Sequence, residues 1–289
     1  MKQTRLFHIV PSFYSQIARL ALAEKGVAFQ EEITLAGPPV FDNYQPDYLR
    51  LNPNGVIPTL THGDKAIYEA VEIARYVDKN YEGPSLSPSD PKEKAEMDRW
   101  IDRLGELPIR VLSYASLTGI TGYIANSANN KRLSALRRLR AQNPDLASVY
   151  DAKIKDIEGF VQDIVTPETV LKVRERADRY LDELDKIMGH RNWIVGSNYS
   201  LADAVWTALI ARMIMLKLDP LKGRPNVGAF YERMRARPSF EQASVWEAFQ
   251  PYSLFEMLAK RLGPALAALC LAIAALILAI DWILRVHGQ

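Results

Sequence analysis

The side chains that could do chemistry begin with Ser12, which stands where a predicted buried strand gives way to a helix. The apolar run 6–10 is ended by Pro11, and Ser12 is a favoured N-cap for the helical stretch that follows. A hydroxyl at the positive end of a helix favours a bound anion such as a thiolate. Tyr14 and Ser15 are neighbouring hydroxyls that could take the same part. The simpler interpretation, in which Ser12 only caps the helix, stays open.

Cysteine, histidine and charge content exclude several other chemistries. The single cysteine, Cys270, excludes an internal disulfide framework, and the four histidines are too scattered for a metal site. The 36 basic and 34 acidic residues nearly cancel, so no global field points to nucleic acid. We therefore expect no metal, no nucleic-acid partner and a reducing compartment.

The first part of the chain, 1–81, alternates between strand and helix patterns. A strand, a helix and a second strand over 6–34 predict a parallel crossover unit. A short helix from about Tyr44 and a hairpin over 57–68 come next. A helix over 69–80, with apolar residues placed to cover the sheet, completes this half.

The Pro-, Ser- and Gly-rich segment 82–91 marks a domain boundary, because the patterns after it are helical. Pro108 is expected to end or kink the first helix of the second half, 92–250. Ser200 and Asp203 form a capping box whose first role is structural. The predicted helices are 92–113, 131–141, 145–165, 168–189, 200–216, 226–236 and 239–249.

A basic stretch over 131–140 allows two interpretations. Leu133, Leu136 and Leu139 lie near one helical face, with five basic residues around them. Such a helix could rest on anionic lipid. The plainer alternative is a solvated helix that packs through its leucines.

The tail over 262–284 predicts a membrane-spanning helix. No charged residue occurs between Leu262 and Ile280, and a bilayer crossing needs about 20 residues. Basic and aromatic residues flank the stretch as interfacial anchors do. A buried core helix is the alternative. The apolar run near the N-terminus is too short for a signal peptide, so we expect the body to face the cytosol.

Several of these patterns together resemble the glutathione transferase superfamily. They are the strand and helix order of the first half, the stretch Leu51-Asn-Pro-Asn-Gly-Val-Ile-Pro-Thr-Leu60, Glu69 opening a helix, and Ser200-Leu-Ala-Asp203. The resemblance implies an α+β protein with a thioredoxin-like N-terminal domain and an all-helical C-terminal domain. It also implies glutathione as co-substrate and a homodimer.

Within that superfamily the chain resembles the tail-anchored ganglioside-induced differentiation-associated protein family. Three stretches carry this resemblance, at 12–25, 137–146 and 224–234. It implies an insertion at about 114–167 and a single-pass anchor in a lipid bilayer. The membrane would be the inner membrane of a bacterium, or the mitochondrial outer membrane of a eukaryote.

The superfamily resemblance implies roles for individual residues. Ser12 would stabilise the glutathione thiolate, and Ile57, before a cis-proline at Pro58, would pair with the cysteinyl backbone. Glu69 would accept from the γ-glutamyl ammonium, while the first amides of its helix bind the adjacent carboxylate. Ala70 departs from the pattern, because active transferases usually carry Ser or Thr there.

Three hypotheses for function follow. The first is a membrane-tethered glutathione S-transferase that conjugates or reduces small hydrophobic electrophiles. The second is a non-catalytic protein of this fold that binds a lipid-like ligand or a protein partner at a membrane, which Ala70 and the insertion favour. The third keeps catalysis as glutathione-dependent ether cleavage or dehalogenation.

Overall fold

In a computed structural model, the chain forms a half with a sheet and a half made of helices. The structure describes residues 3–38, 40–115, 119–163 and 166–287. The first half contains β1 (Thr4–His8), α1 (Phe13–Glu24), β2 (Gln30–Ile33), α2 (Pro46–Leu51), β3 (Thr59–His62), β4 (Lys65–Tyr68) and α3 (Ala70–Asn80). The helices that follow are α4 (Pro91–Asp102), α5 (Ile109–Ala115), α6 (Gly119–Gln142), α7 (Ala147–Asp163), α8 (Pro167–Met188), α9 (Leu201–Met215), α10 (Pro225–Arg235), α11 (Pro238–Gln242), α12 (Pro251–Leu262) and α13 (Pro264–His287).

The sheet has the strand order β2-β1-β3-β4, with β1 and β2 parallel and the other neighbours antiparallel. The predicted crossover unit and hairpin are therefore confirmed. Leu6 and Leu60 on the central strands are fully buried, and they belong to one core with Ile17 of α1 and Ile73 of α3. The two helices thus cover one face of the sheet, as their apolar positions predict.

The helical half is centred on α9, whose side chains are almost all buried. Its start carries the predicted capping box. The Asp203 carboxylate accepts from the Ser200 N–H at 2.7 Å, from the Ser200 hydroxyl at 2.7 Å and from the Ile194 N–H at 2.9 Å. Burial raises the pKa of Asp203 to about 6, although these hydrogen bonds oppose the shift. The box therefore fixes both the helix start and the preceding loop.

Removing this carboxylate should destabilise the fold. In Asp203→Ala, two buried amides lose their acceptor, and each such loss costs about 1–3 kcal/mol. We expect the free energy of unfolding in urea to fall by about 3 kcal/mol. Asp203→Asn keeps one acceptor oxygen and should lose less. A loss for the alanine variant no larger than for the asparagine variant would contradict the assigned role.

The predicted insertion contains α6 and α7, which pack as a hairpin against the first half. Together with the 3₁₀ turn Asp42–Tyr44 and α2 they form a second, smaller core. The buried members of this core are Phe41, Tyr44, Leu49, Leu136, Leu139, Leu146, Tyr150 and Ile157. The Tyr150 hydroxyl donates to the Tyr44 carbonyl at 3.0 Å, and Arg50 pairs with Asp145 at 2.8 Å. The insertion is therefore anchored by side chains of the first half.

This packing decides between the two interpretations of the basic stretch in favour of a leucine-packed helix. Leu136 and Leu139 are buried in the second core, and Leu133 packs against it. Arg137 pairs with Glu158, and Arg140 pairs with Asp151, both on α7. Two of the five basic residues of the stretch thus hold the hairpin together.

The structure corrects three of the predicted helices. The one predicted over 131–141 is part of the longer α6, which begins at Gly119. The range 92–113 is divided: α4 ends at Asp102, a 3₁₀ turn follows, and α5 starts after Pro108, as the proline predicts. The helix predicted over 239–249 is wrong, because α11 ends at Gln242 and Ser244 adopts φ 46. Sequence patterns also missed α12 as a separate helix.

The predicted membrane-spanning helix over 262–284 is not supported by the structure. Gly263, at φ 85, separates α12 from α13, and Ala267 of α13 is fully buried. In the part of the chain that the structure describes, no helix combines the length and hydropathy that a bilayer crossing requires. The side chains of 281–289 lie outside the described residues. The membrane span therefore stays a prediction from sequence.

Candidate active site at one end of the sheet

The register of the sheet brings three segments to one end. Phe7 of β1 pairs with Thr59 of β3, and Thr59 pairs with Tyr68 of β4. Ser12 follows β1, Pro58 precedes β3 and Glu69 follows β4. Because the paired residues share one end of the sheet, these three segments leave it at the same end. The predicted site residues are thus placed on neighbouring connections.

Ser12 caps α1 through its side-chain oxygen. Its backbone is extended, with φ −70 and ψ 123, and its Oγ accepts from the Ser15 N–H at 3.3 Å. The capping interpretation is therefore confirmed. A capping hydroxyl that accepts one hydrogen bond can still donate its proton, so both interpretations are compatible. Ser15 is fully buried within α1 and does not face solvent.

Two arginines, Arg19, which is buried, and Arg212, which is half-buried, hold the segment that leads to Ser12. Arg19 of α1 donates to the Val10 carbonyl at 2.8 Å, and Arg212 of α9 donates to the Pro11 carbonyl at 2.5 Å. Burial lowers the pKa of Arg19 to about 9 and that of Arg212 to about 10, so both stay charged near pH 7. The sequence signal for Arg19 is a charged residue within the apolar stripe of α1.

Tyr14 lies near the charged groups of the site. Partial burial, reinforced by the Glu69 carboxylate, raises the pKa of the Tyr14 phenol, and Arg110 of α5 opposes this. The phenol therefore stays protonated at neutral pH and can act as a donor. Tyr14 is 39% exposed, so a ligand can reach it.

The loop before β3 is fixed by buried polar side chains. The Ile57–Pro58 peptide bond is cis, as the resemblance implies. The Tyr48 hydroxyl donates to the Val56 carbonyl at 2.5 Å, and Asn52 Nδ2 donates to the same carbonyl at 2.9 Å. These bonds hold the backbone beside the cis bond in one conformation.

Glu69 connects β4 to α3 in an unusual conformation. Its φ is 66 and its ψ 122, a region that residues other than glycine rarely adopt. The exposed carboxylate accepts from Asn54 Nδ2 at 3.1 Å. Strained residues of this kind cluster at functional sites. Ala70, next to it, is buried and supplies no hydroxyl.

A cavity of about 570 Å³ opens beside Glu69. Small-molecule sites occupy about 300–1,000 Å³. The lining residues are Pro53, Asn54, Val56, Glu69, Arg110, Ser148, Val149, Ala152, Lys153 and Asp156. Ser12, Ile57, Pro58 and Ala70 lie at the same end of the sheet but are not in this lining. Sequence analysis missed the contribution of α7, because nothing local indicates which surface an inserted hairpin will cover.

The loop geometry predicts unequal effects for two neighbouring asparagines. Asn52 is fully buried and makes three hydrogen bonds, to Val56, to Thr59 and to the Asn54 amide. At about 1 kcal/mol for each bond, Asn52→Ala should lower the free energy of unfolding by about 3 kcal/mol. Asn54 is exposed and its side chain bonds to Glu69, so Asn54→Ala should cost less than about 1 kcal/mol. Equal losses in urea titrations would contradict this assignment.

Comparison with known proteins agrees with this fold. The family model for the glutathione S-transferase N-terminal domain matches residues 6–85, and that for the C-terminal domain matches 135–238. The tetrachloro-p-hydroquinone reductive dehalogenase of Sphingobium chlorophenolicum is 34% identical over 252 residues, which cover 85% of this chain and 97% of that protein. The chain belongs to the glutathione S-transferase family.

Two further similarities are to a human protein and to a solved structure. The human ganglioside-induced differentiation-associated protein 1-like 1 is 23% identical over 268 residues, covering 82% of this chain and 72% of that protein. This identity is lower than that to the dehalogenase. A theta class glutathione S-transferase from Xanthomonas axonopodis pv. citri, solved with glutathione bound, superposes with a TM-score of 0.57 at 21% identity, over 84% of this chain and 98% of that one. Binding of glutathione and dimer formation are typical of the family.

Proposed function

We propose that this glutathione S-transferase removes halogen from a chlorinated aromatic substrate, with glutathione as the reductant. The observation that carries the proposal is the 34% identity to a reductive dehalogenase over nearly the whole of that protein. The site supports it. Ser12 starts α1 at the same end of the sheet as Glu69. The charges of Glu69 and Arg110 act on the Tyr14 phenol. Either hydroxyl could donate to a thiolate, and such a donor stabilises the reactive form of the thiol.

The cysteine content defines how such a reaction would proceed. The chain has one cysteine, Cys270, which lies in α13 and not in the cavity lining. One glutathione thiolate would displace chloride from the ring and form a thioether. A second glutathione thiolate would then attack the thioether sulfur, the ring carbon would take a proton, and glutathione disulfide would leave. Each chloride released as hydrogen chloride therefore consumes two glutathione molecules.

Conjugation without reduction is the second candidate, and the lack of a cysteine in the cavity lining favours it. The reaction then ends at the thioether. The non-catalytic alternative rests on Ala70, because a hydrogen bond to a charged group contributes about 1.5–3 kcal/mol and this residue cannot supply one. The three outcomes differ in their products.

Turnover of tetrachlorohydroquinone by the purified chain with glutathione tests the proposal. We expect one glutathione disulfide for each chloride released, measured by enzymatic disulfide assay and chloride titration. Ser12→Ala should lower turnover about tenfold or more, because a donor to a charged group is lost. A thioether product in place of disulfide would support conjugation, and no product of either kind would contradict catalysis on this substrate.

Ser15→Ala is the matched control. It removes a buried hydroxyl that has no hydrogen-bond partner among the described residues, three positions from Ser12. Its turnover should stay close to that of the unmodified chain. Because Ser12→Ala also removes a helix cap worth about 1 kcal/mol, its unfolding should be recorded beside the assay. Equal turnover in both variants would show that Ser12 does not assist the thiolate.

We infer separately that α13 holds the protein at a bilayer. Three large apolar residues of α13 share one helical face and are exposed: Leu269 by 56%, Ile273 by 50% and Leu276 by 61%. Exposed apolar stripes of this kind often mark contact with a membrane or a partner. Residence in a particular membrane and homodimer formation remain predictions.

Membrane attachment can be tested by washing membranes from expressing cells with carbonate. The unmodified full-length chain should stay with the pellet. A variant carrying Leu269→Glu, Ile273→Glu and Leu276→Glu should appear in the supernatant, because charges in apolar surroundings are costly. The control is Leu171→Glu, which changes an equally exposed leucine on α8, at 56%. Recovery of the unmodified chain in the supernatant would contradict attachment.

A further inference from the structure

The inserted helix α7 forms one wall of the candidate glutathione cavity. Lys153 and Asp156 of α7 line it together with Asn54 and Glu69 from the first half. The helix is held there by its buried contacts with the second core. The cavity is therefore built jointly by the sheet domain and the insertion.

Lys153 occupies a defined place in this wall. Its side chain is 14% exposed, and its Cε lies 3.4 Å from the position that a Cβ would take on Gly55. The lysine stem thus occupies space that a side chain at residue 55 would otherwise fill. Its Nζ lies 3.4 Å from an Asp156 oxygen, which is a long contact for an ion pair. An ammonium has three donors, so Lys153 can bind a further anion.

The charges of the cavity match those of the proposed co-substrate. Glutathione carries one ammonium and two carboxylates. Glu69 and Arg110 both line this cavity. These two charges suit the γ-glutamyl end, which carries both an ammonium and a carboxylate. Lys153, beside Gly55, is the cation available for the glycyl carboxylate.

We propose that Lys153 binds the glycyl carboxylate of glutathione, so that the insertion completes the co-substrate site. The proposal rests on the proposed use of glutathione. It assigns to the inserted hairpin a role in selecting thiol peptides that end in a free carboxylate. A thiol peptide whose glycyl carboxylate is esterified should lose this contact.

Calorimetry on the full-length chain tests the assignment with two ligands, glutathione and its glycyl monoethyl ester. The unmodified chain should bind glutathione about tenfold or more tightly than the ester, since the contact is a hydrogen bond to a charged group. Lys153→Met keeps the stem and removes the charge. It should weaken glutathione binding about tenfold or more and leave ester binding unchanged.

The matched control is Lys155→Met on the same helix, whose side chain is exposed and outside the cavity lining. It should bind both ligands as the unmodified chain does. The double variant Lys153→Met with Asp156→Asn removes the carboxylate that Lys153 would have neutralised. It should remain weak for glutathione. Full recovery in the double variant would overturn the proposal by showing that repulsion from Asp156 caused the loss.

The outcomes separate this proposal from the one on which it rests. Equal affinity of the unmodified chain for both ligands would overturn the role of Lys153 while keeping glutathione binding. No heat with either ligand would overturn both. If Lys153→Met does not fold, Lys153→Gln, which keeps a polar head without charge, takes its place with the same expected results.

Discussion

The strand register at the end of the sheet is the constraint on which the site depends. Phe7, Thr59 and Tyr68 pair in a row across three strands. This row fixes where the chain leaves the sheet toward Ser12 and Glu69. Because a one-residue slip would turn every side chain of a strand to the opposite face, the buried core and the site are set by the same register. Hydrogen bonds from neighbouring side chains then fix the backbone after β1 and before β3 at the positions that strand pairing gives it.

The insertion adds a second level of organisation. Its hairpin could not be stable as an isolated pair of helices without a surface on which to bury its leucines. That surface is the 3₁₀ turn and α2 of the first half, where Tyr44 and Leu49 are buried against it. By covering these elements, α7 comes to border the candidate cavity. The contact that buries the leucines of the hairpin therefore also places α7 beside the cavity.

The residues of the candidate site are suited to binding and orienting a charged ligand, and none of the cavity-lining residues is a cysteine. Hydroxyl groups and a helix start favour an anion, and the cavity carries acidic and basic residues that suit a zwitterionic peptide. The only cysteine of the chain lies in α13. Sulfur for a thiol reaction would therefore be supplied by the bound ligand, and the protein would orient and activate it.

The sequence by itself determined the order of strands and helices in the first half, the helix cap at Ser12 and the box at Ser200 and Asp203, because these depend on local periodicity and capping. It could not show that α7 would border Glu69, or that Arg19 and Arg212 would hold the backbone before Ser12. Those contacts join residues far apart in the chain, and only tertiary packing decides them. The end of α11 before Ser244 and the break between α12 and α13 at Gly263 were likewise decided by the tertiary structure, since both residues adopt a positive φ that local periodicity does not predict.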